Sequence, residues 1–234
     1  MRRNDEEQIV PRGSSAPSAQ SAIPRGSLSG FCVILALALG SPAIVAAQMD
    51  SLSAPLTASE RDRLERGAFV ERPTVQRRGR LHLVGGSSFQ VIRRPPEEVW
   101  RALSDLGGLG NLLPNVAGTS VVAREGSAST VRIRHREGPI NAAYHLRLRH
   151  SRNNTVVFQL DPRRKNDIHA GWGFVRIRPW NDDSATLVSY SVLVDVGPGL
   201  LKTALTPTFK EWILRVPLTM KWYLEGRGRA RYRS

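Results

Sequence analysis

The sequence predicts an α+β fold in which a curved antiparallel sheet of about seven strands wraps around a long C-terminal helix. Within residues 89–103 (FQVIRRPPEEVWRAL) an alternating strand ends at a Pro-Pro pair, and a short amphipathic helix begins. Residues 120–196 then hold six short strand patterns, and residues 201–223 carry one amphipathic stripe. Consecutive strands with short connections form an antiparallel meander, and an amphipathic helix needs an apolar surface to cover. We therefore expect an apolar interior between sheet and helix.

The N-terminal residues 1–47 differ from this domain in composition. Residues 1–28 are rich in Ser, Pro, Gly, Gln and Arg without an apolar period, which predicts disorder. An apolar run of nine residues follows (FCVILALAL), and the small residues Val45 and Ala47 suit a cleavage site. We expect a signal peptide at about residues 30–47 and export to the periplasm or the cell exterior. A membrane anchor formed by the same segment is the alternative, although a span requires roughly 20 apolar residues.

Charge and cysteine content restrict the partners. The single cysteine, Cys32, lies in the apolar run, so the exported chain would contain no disulfide. Residues 1–47 hold four Arg and three acidic residues, which leaves 30 basic and 17 acidic residues and a net charge of +13. Such a surface suits an anionic membrane face or a polyanionic envelope polymer. For an exported protein, nucleic acid is the least expected partner.

Residues 48–80 are interpreted as a linker with one short helix. In SERDRLERG, Ser59 is placed to cap this helix, Asp62 lies at the capping-box distance and Gly67 ends it. Residues 68–80 carry Pro73 and four Arg without clear periodicity, and are read as an extended lead-in. The ligand-binding domain is then expected at 81–226, followed by a flexible basic tail at 227–234.

Turn residues separate the elements of that domain. The first strand is expected at 81–92, with a bulge at Gly85 and Gly86. The helix starts at the Pro-Pro pair, because proline is tolerated in a first helical turn, and ends in the Gly-rich segment 105–118. The remaining strands are expected at 120–123, 130–136, 140–150, 155–160, 168–178 and 185–196.

Alternation along these strands separates an inner from an outer face. The inner set contains Val131, Ile133, Ala142, Tyr144, Leu146, Leu148, Val175, Ile177, Val188, Tyr190, Val192 and Val194. Arginines occupy most of the opposite positions. Gly171 and Gly173 share the inner parity and would leave room beside the backbone. The helical stripe runs through Leu201, Leu205, Phe209, Ile213, Val216, Met220 and Tyr223, with Pro207 as a possible start and Pro217 as a possible kink.

The order of these elements resembles the START-like superfamily, which has the helix-grip or Bet v 1-like fold. The resemblance covers residues 64–225 and rests on the PPEEVW helix, the Leu-Pro loop, the strands GFVRIRP and TLVSYSV, and the terminal helix. Within the superfamily, the chain is most similar to the polyketide cyclase/dehydrase and coenzyme Q-binding START-domain group. This similarity implies a hydrophobic tunnel between sheet and helix for a lipid, quinone, polyketide or similar molecule. It assigns a lining role to Trp100, Leu112, Leu113, Pro114, Tyr144, Val175, Tyr190, Phe209, Ile213 and Val216.

The residues give weak support for catalysis. A general acid or base must reach the substrate, and we interpret His135, His145 and His150 as surface histidines. Inward tyrosines are more often core residues than catalysts. Asp167 and His169 share a strand face, but two ligands do not make a metal site. We therefore assign no catalytic residue, no metal site and no cofactor.

The outer arginines are the second candidate site. Arg132, Arg134 and Arg136 lie on one strand, Arg147 and Arg149 lie on its expected neighbour, and little acid is near. Such a patch is either a solvated sheet face or a surface that docks on anionic phospholipid.

From these observations we expect an exported protein that binds or carries a hydrophobic molecule. The alternatives are a cyclase-like enzyme that uses Tyr144 or Tyr190, and an envelope adaptor that uses the arginine face. An inward acid–base pair would favour the enzyme, and a cavity filled by side chains would favour the adaptor.

Overall fold

The structure is a computed structural model that describes residues 54–137, 140–151, 154–181, 183–198 and 212–233. Three helices are designated α1 (Ala58–Glu65), α2 (Pro96–Ser104) and α3 (Val216–Glu225). The eight strands are β1 (Val70–Arg78), β2 (Leu81–Ile92), β3 (Val116–Glu125), β4 (Ala128–Glu137), β5 (Ile140–Ser151), β6 (Thr155–Leu160), β7 (Ala170–Trp180) and β8 (Ala185–Asp195). A short 3₁₀ helix, Leu109–Asn111, lies between α2 and β3.

The strands form one antiparallel sheet in the order β1-β2-β8-β7-β6-β5-β4-β3. Strands β3 to β8 are a meander, as the turn residues predict, and β2 pairs with β8. Left-handed backbone at Gly126, Asn154, Asn181 and Asp183 makes the tight turns between them. Because β2 lies beside one edge and β3 forms the other, α2 and the Gly-rich segment cross the whole width of the sheet. This crossing covers one part of its inner face.

Strand β1 corrects the expected lead-in at 68–80. It pairs with β2 along its full length, from Val70 opposite Phe89 to Arg78 opposite Leu81, and makes the sheet eight-stranded. Helix α1 lies beside it, and Arg72 of β1 bonds Glu60 of α1 at 2.5 Å. The segment before Leu81 is therefore part of the folded domain.

Two local expectations were wrong in detail. Thr57, not Ser59, caps α1, and Glu60 completes the capping box with it. Gly85 and Gly86 do not form a bulge, because β2 keeps an unbroken register with both neighbouring strands. At Gly85 an added Cβ would overlap a carbonyl oxygen of β8, and at Gly86 one of β1. Glycine lets β2 approach both neighbours closely, and the register shifts occur between β3 and β4 instead.

The core lies between the inner face of the sheet, α2 and α3. Its buried members include Val131, Ile133, Val188 and Met220, all at most 1% exposed. The predicted inner parity is thereby confirmed. A second cluster on the outer face joins α1 to the sheet through Leu64, Val70, Phe89, Val91, Trp180, Ala185 and Leu187.

The C-terminal helical region is interrupted at Arg215 within the described residues. Trp212, Ile213 and Leu214 are helical, Arg215 leaves the helical conformation, and α3 begins with Pro217 in its first turn. Proline at that position costs no hydrogen bond, so the break replaces the expected kink. Leu201, Leu205, Pro207 and Phe209 lie outside the described residues. No helix in the described part of the chain is long and apolar enough to cross a membrane, and residues 1–53 with the expected signal segment are not described.

The C-terminal segment packs on the domain up to residue 233. Tyr232 is 7% exposed, its ring lies 6.4 Å from that of Tyr223, and its hydroxyl donates to Asp105 Oδ2 at 2.9 Å. Arg231 donates to the same oxygen at 2.5 Å, and the Arg233 carbonyl accepts from Arg101. The expectation of a flexible tail was therefore wrong, because Tyr232 anchors the segment to the loop that follows α2.

Candidate functional site

A partly open cavity of about 140 Å³ lies between the inner face of the sheet and the C-terminal helix. Strands β4 to β8 supply one wall through residues of the inner parity, including Ile133, Leu148 and Val192. Leu106, Leu109 and Leu113 close another side from the segment after α2. Within the described residues no Arg, Lys, Asp or Glu lines it. A charged ligand would therefore lose its hydration without gaining a charged partner.

Seven of the ten residues assigned a lining role lie on this wall: Leu113, Pro114, Tyr144, Val175, Tyr190, Ile213 and Val216. Trp100 lies away from it, with its ring edge-on to His150 at 5.7 Å. Leu112 is 1% exposed in the core, also off the cavity wall. Phe209 lies outside the described residues. The role of these side chains in ligand binding stays a prediction.

The two glycines of β7 differ in what they leave open. Gly171 lines the cavity, and an added Cβ would only touch Val194 and Ile168 at 3.5 and 3.7 Å. At Gly173 an added Cβ would overlap the Ser191 carbonyl oxygen and the ring of Phe158, which stacks on Tyr190 with centroids 5.9 Å apart. Only Gly171 of the two therefore leaves room at the cavity.

His135 was wrongly interpreted as a surface residue. It is 6% exposed and lies on the cavity wall with its Nδ1 3.1 Å from the Asn115 carbonyl oxygen. Asn115 adopts a left-handed conformation (φ 56°), which asparagine tolerates, just before β3. His135 has the same parity as Val131 and Ile133, so the alternation along β4 predicts that it faces inward.

His135 forms a hydrogen-bonded pair with Tyr144. The His135 Nε2 lies 2.8 Å from the Tyr144 hydroxyl, and the two rings are stacked with centroids 5.6 Å apart. Burial lowers the pKa of His135, which favours the neutral ring. Since the Asn115 carbonyl can only accept, Nδ1 carries the ring proton, and the Tyr144 hydroxyl donates to Nε2.

The hydroxyls of both cavity tyrosines are kept protonated. Burial raises the pKa of Tyr144 and of Tyr190, and the neighbouring Tyr144 raises the pKa of Tyr190 further. Neither side chain offers a phenolate at neutral pH. The site therefore contains neutral hydrogen-bonding groups in an apolar wall.

His150 also lies on the cavity wall, on the same parity as Leu146 and Leu148. Its Nε2–H donates to the Leu103 carbonyl at 3.2 Å, which joins β5 to α2. His145 points to the other face and contacts Asn166, as its parity predicts. Asp167 accepts the Ala143 backbone N–H at 2.8 Å. Among the described residues no three His, Cys, Asp or Glu side chains form a group that could hold a metal.

The outer arginine face carries more acid than expected. Arg147 pairs with Glu125 at 3.2 Å, and Arg163 approaches the same carboxylate at 3.4 Å. The expectation of a patch with little acid nearby was therefore wrong at Arg147. The other four, Arg132, Arg134, Arg136 and Arg149, are exposed.

Three solved structures are similar to this chain. The protein TTHA0849 from Thermus thermophilus is 22% identical with a TM-score of 0.52, over 60% of this chain and 97% of its own. The Zhui aromatase/cyclase from Streptomyces sp. R1128 is 14% identical with a TM-score of 0.49, over 70% and 98%. A START superfamily protein from Mycobacterium smegmatis is 18% identical with a TM-score of 0.49, over 64% and 98%. No curated protein sequence matches the chain.

A family model provides the assignment. The model described as polyketide cyclase/dehydrase and lipid transport matches residues 92–216, which is more than half of the 234 residues. The matched region runs from the end of β2 to the start of α3 and contains every described residue of the cavity wall. The protein therefore belongs to the polyketide cyclase/dehydrase and lipid transport family, whose START-like members are hydrophobic ligand-binding domains.

Proposed function

We propose that this protein carries a neutral hydrophobic molecule in the cavity between the sheet and the C-terminal helix. The observation that carries the proposal is the apolar cavity of about 140 Å³ without a charged residue on its described wall. An engineered apolar cavity of about 150 Å³ in another protein takes up benzene. A single ring therefore matches the volume, and a longer lipid, quinone or polyketide would extend out of the open side.

The expected affinity for a single ring is modest. Burying about 200 Å² of apolar ligand surface at about 25 cal/mol per Å² contributes about 5 kcal/mol before association costs. This corresponds to a dissociation constant of about 0.2 mM at best. A natural ligand that binds more tightly must add either polar contacts or more apolar surface.

Titration of the full chain with toluene, followed by NMR, tests the cavity. Ala142 and Ala143 are adjacent on β5, and only Ala142 lines the cavity. Ala142→Leu should fill the cavity and abolish toluene binding, whereas Ala143→Leu adds the same volume on the other face and should leave binding intact. Equal binding by the two variants would contradict the proposal.

The natural ligand is a separate measurement. Native mass spectrometry of protein purified from a homologous host, followed by solvent extraction, should reveal a neutral hydrophobic compound released on denaturation. The Ala142→Leu variant, purified in the same way, should contain none of that compound. A compound retained equally by both proteins would indicate binding elsewhere.

Export and membrane docking belong to the same proposal. The signal-peptide pattern at residues 30–47 supports export, and N-terminal sequencing of the cell-envelope fraction should find a chain that begins at Gln48. Exposed Arg132, Arg134 and Arg136 support docking on an anionic leaflet, worth about 1 kcal/mol per charge. Changing all three to Gln should weaken sedimentation with phosphatidylglycerol vesicles on the order of 100-fold. The control variant changes Arg78, Arg80 and Arg93 to Gln, which removes the same number of charges elsewhere on the protein.

The tyrosine–histidine pair favours a second candidate, cyclase-like proton transfer. Neutral His135 accepts the Tyr144 proton while the Tyr144 oxygen takes a proton from a ligand carbon next to a carbonyl, so the ligand becomes an enolate and His135 a positively charged imidazolium. Deuterium exchange at the α-carbons of cyclohexanone, measured by NMR, tests it. Tyr144→Phe should remove any exchange above the buffer rate, and wild-type protein at the buffer rate would exclude this candidate.

A further inference from the structure

The two tyrosine hydroxyls of the cavity differ in their hydrogen bonding. Tyr144 donates its hydroxyl proton to His135. Tyr190 is 7% exposed and lines the same cavity, but its hydroxyl makes no hydrogen bond within the described part of the chain. The Tyr190 oxygen is not itself fully buried, so a molecule in the cavity is able to reach it. A cavity wall is one place where a ligand supplies the missing partner.

The Tyr144 oxygen is oriented by a fixed chain of groups. The Asn115 carbonyl holds the proton on Nδ1 of His135, so Nε2 accepts from Tyr144. With its proton engaged in this way, the Tyr144 oxygen has its lone pairs left for a ligand. It is therefore an acceptor, whereas the Tyr190 hydroxyl is able to donate and to accept.

These two groups select among ligand functional groups. A ketone only accepts, so it leaves the Tyr144 oxygen unsatisfied. A carboxylate would enter a wall that has no Arg or Lys among the described residues. Of these three groups, only a hydroxyl has both the proton that the Tyr144 oxygen accepts and the lone pairs to which Tyr190 donates.

We propose that Tyr144 and Tyr190 form a subsite that binds the hydroxyl group of a neutral ring compound, a phenol or a cyclic alcohol. This inference rests on the proposed function, because the ring must first enter the apolar cavity. The ring then lies against apolar and aromatic walls that include Phe158 and Val192. The hydrogen bonds to the two tyrosines determine the orientation of the bound ring.

Calorimetric titration of the full chain with p-cresol and with toluene tests the subsite, since the two probes differ by one hydroxyl. Wild-type protein should bind p-cresol about tenfold more tightly than toluene, which is about 1.4 kcal/mol. Tyr190→Phe should abolish this preference while toluene affinity stays unchanged. Tyr223→Phe is the matched control, because Tyr223 is buried in α3 but absent from the cavity wall among described residues, and it should keep the preference.

The outcomes separate the two proposals. If neither probe binds, the proposed function fails together with the subsite. If both bind with equal affinity to wild type, the cavity is real and the subsite is overturned. A preference that survives both Tyr190→Phe and Tyr144→Phe also overturns it. Removing an unsatisfied hydroxyl should not lower the melting temperature, so a folded Tyr190→Phe protein is expected.

Discussion

Replacement of Tyr232 tests whether the C-terminal segment is part of the domain. The Tyr232 hydroxyl donates to the carboxylate of Asp105, whose side chain is 26% exposed, at 2.9 Å. Hydrogen bonds to charged groups contribute about 1.5–3 kcal/mol, and partial exposure favours the lower end. Tyr232→Phe should therefore lower the free energy of unfolding by about 1.5 kcal/mol. Tyr232→Ala also removes a ring that is 7% exposed and should lower it by about 4 kcal/mol.

Urea denaturation followed by tryptophan fluorescence measures both changes. A thermal melt gives a second measure. For a domain of this size a change of 1 kcal/mol in the free energy of unfolding corresponds to about 2–4 °C in melting temperature, so the melting temperature of Tyr232→Phe should be about 3–6 °C lower. Trp222, in the same C-terminal region, is 63% exposed and provides the control. Trp222→Ala should change stability by less than about 1 kcal/mol. If a chain that ends at residue 226 were as stable as wild type, the anchoring role of Tyr232 would be refuted.

Three further predictions concern pH, backbone packing and a buried ion pair. Burial lowers the pKa of His135, so the unfolded chain takes up this proton more readily and stability should fall below about pH 6.5, by at most about 1.4 kcal/mol per pH unit. Urea denaturation at pH 7.5 and 5.5 should show this loss in wild type but not in His135→Gln. Gly85→Ala should destabilise by about 3 kcal/mol in the same assay, because its Cβ overlaps a backbone carbonyl of β8, whereas Gly79→Ala has open space and should cost about 1 kcal/mol. Glu98 and Arg94 form a buried ion pair, and thermal melting of Glu98→Ala should show a loss of about 3 kcal/mol, since the arginine is left unpaired; an unchanged melting temperature would contradict this.

The strands of the meander could be predicted because two independent patterns coincide there. Turn residues mark where each strand ends, and apolar residues at every second position mark the buried face. In β6 and β2 the expected and observed bounds are identical. Strand β1 escaped prediction for a physical reason. Its half-buried positions are the polar Arg72, Thr74 and Gln76, so burial alternates where hydrophobicity does not.

The cavity wall was predicted better where apolar residues carry it than where polar residues do. The inward direction of Tyr144 and Tyr190 followed from alternation, and their lining role was implied by the family resemblance. His135 was missed because its arginine neighbours indicate a solvated surface, although its parity with Ile133 indicates the opposite. Its partner, the Asn115 carbonyl, is a backbone group in a left-handed conformation, and no side-chain pattern predicts where such a group points.

The crossing between β2 and β3 has a consequence for when a ligand is able to bind. Strand β2 is an inner strand only because β8 pairs with it. Between these strands the hydroxyl of Ser87 bonds that of Ser191, which lies 104 residues further along the chain. Asp105, beside the leucines of the cavity wall, meets Tyr232 127 residues later. Contacts of such long sequence separation close large loops, which slows folding. The described cavity wall extends from Leu103 to Val216, so it is complete only after residue 216 has been synthesised, and a ligand that needs the whole wall binds after that point.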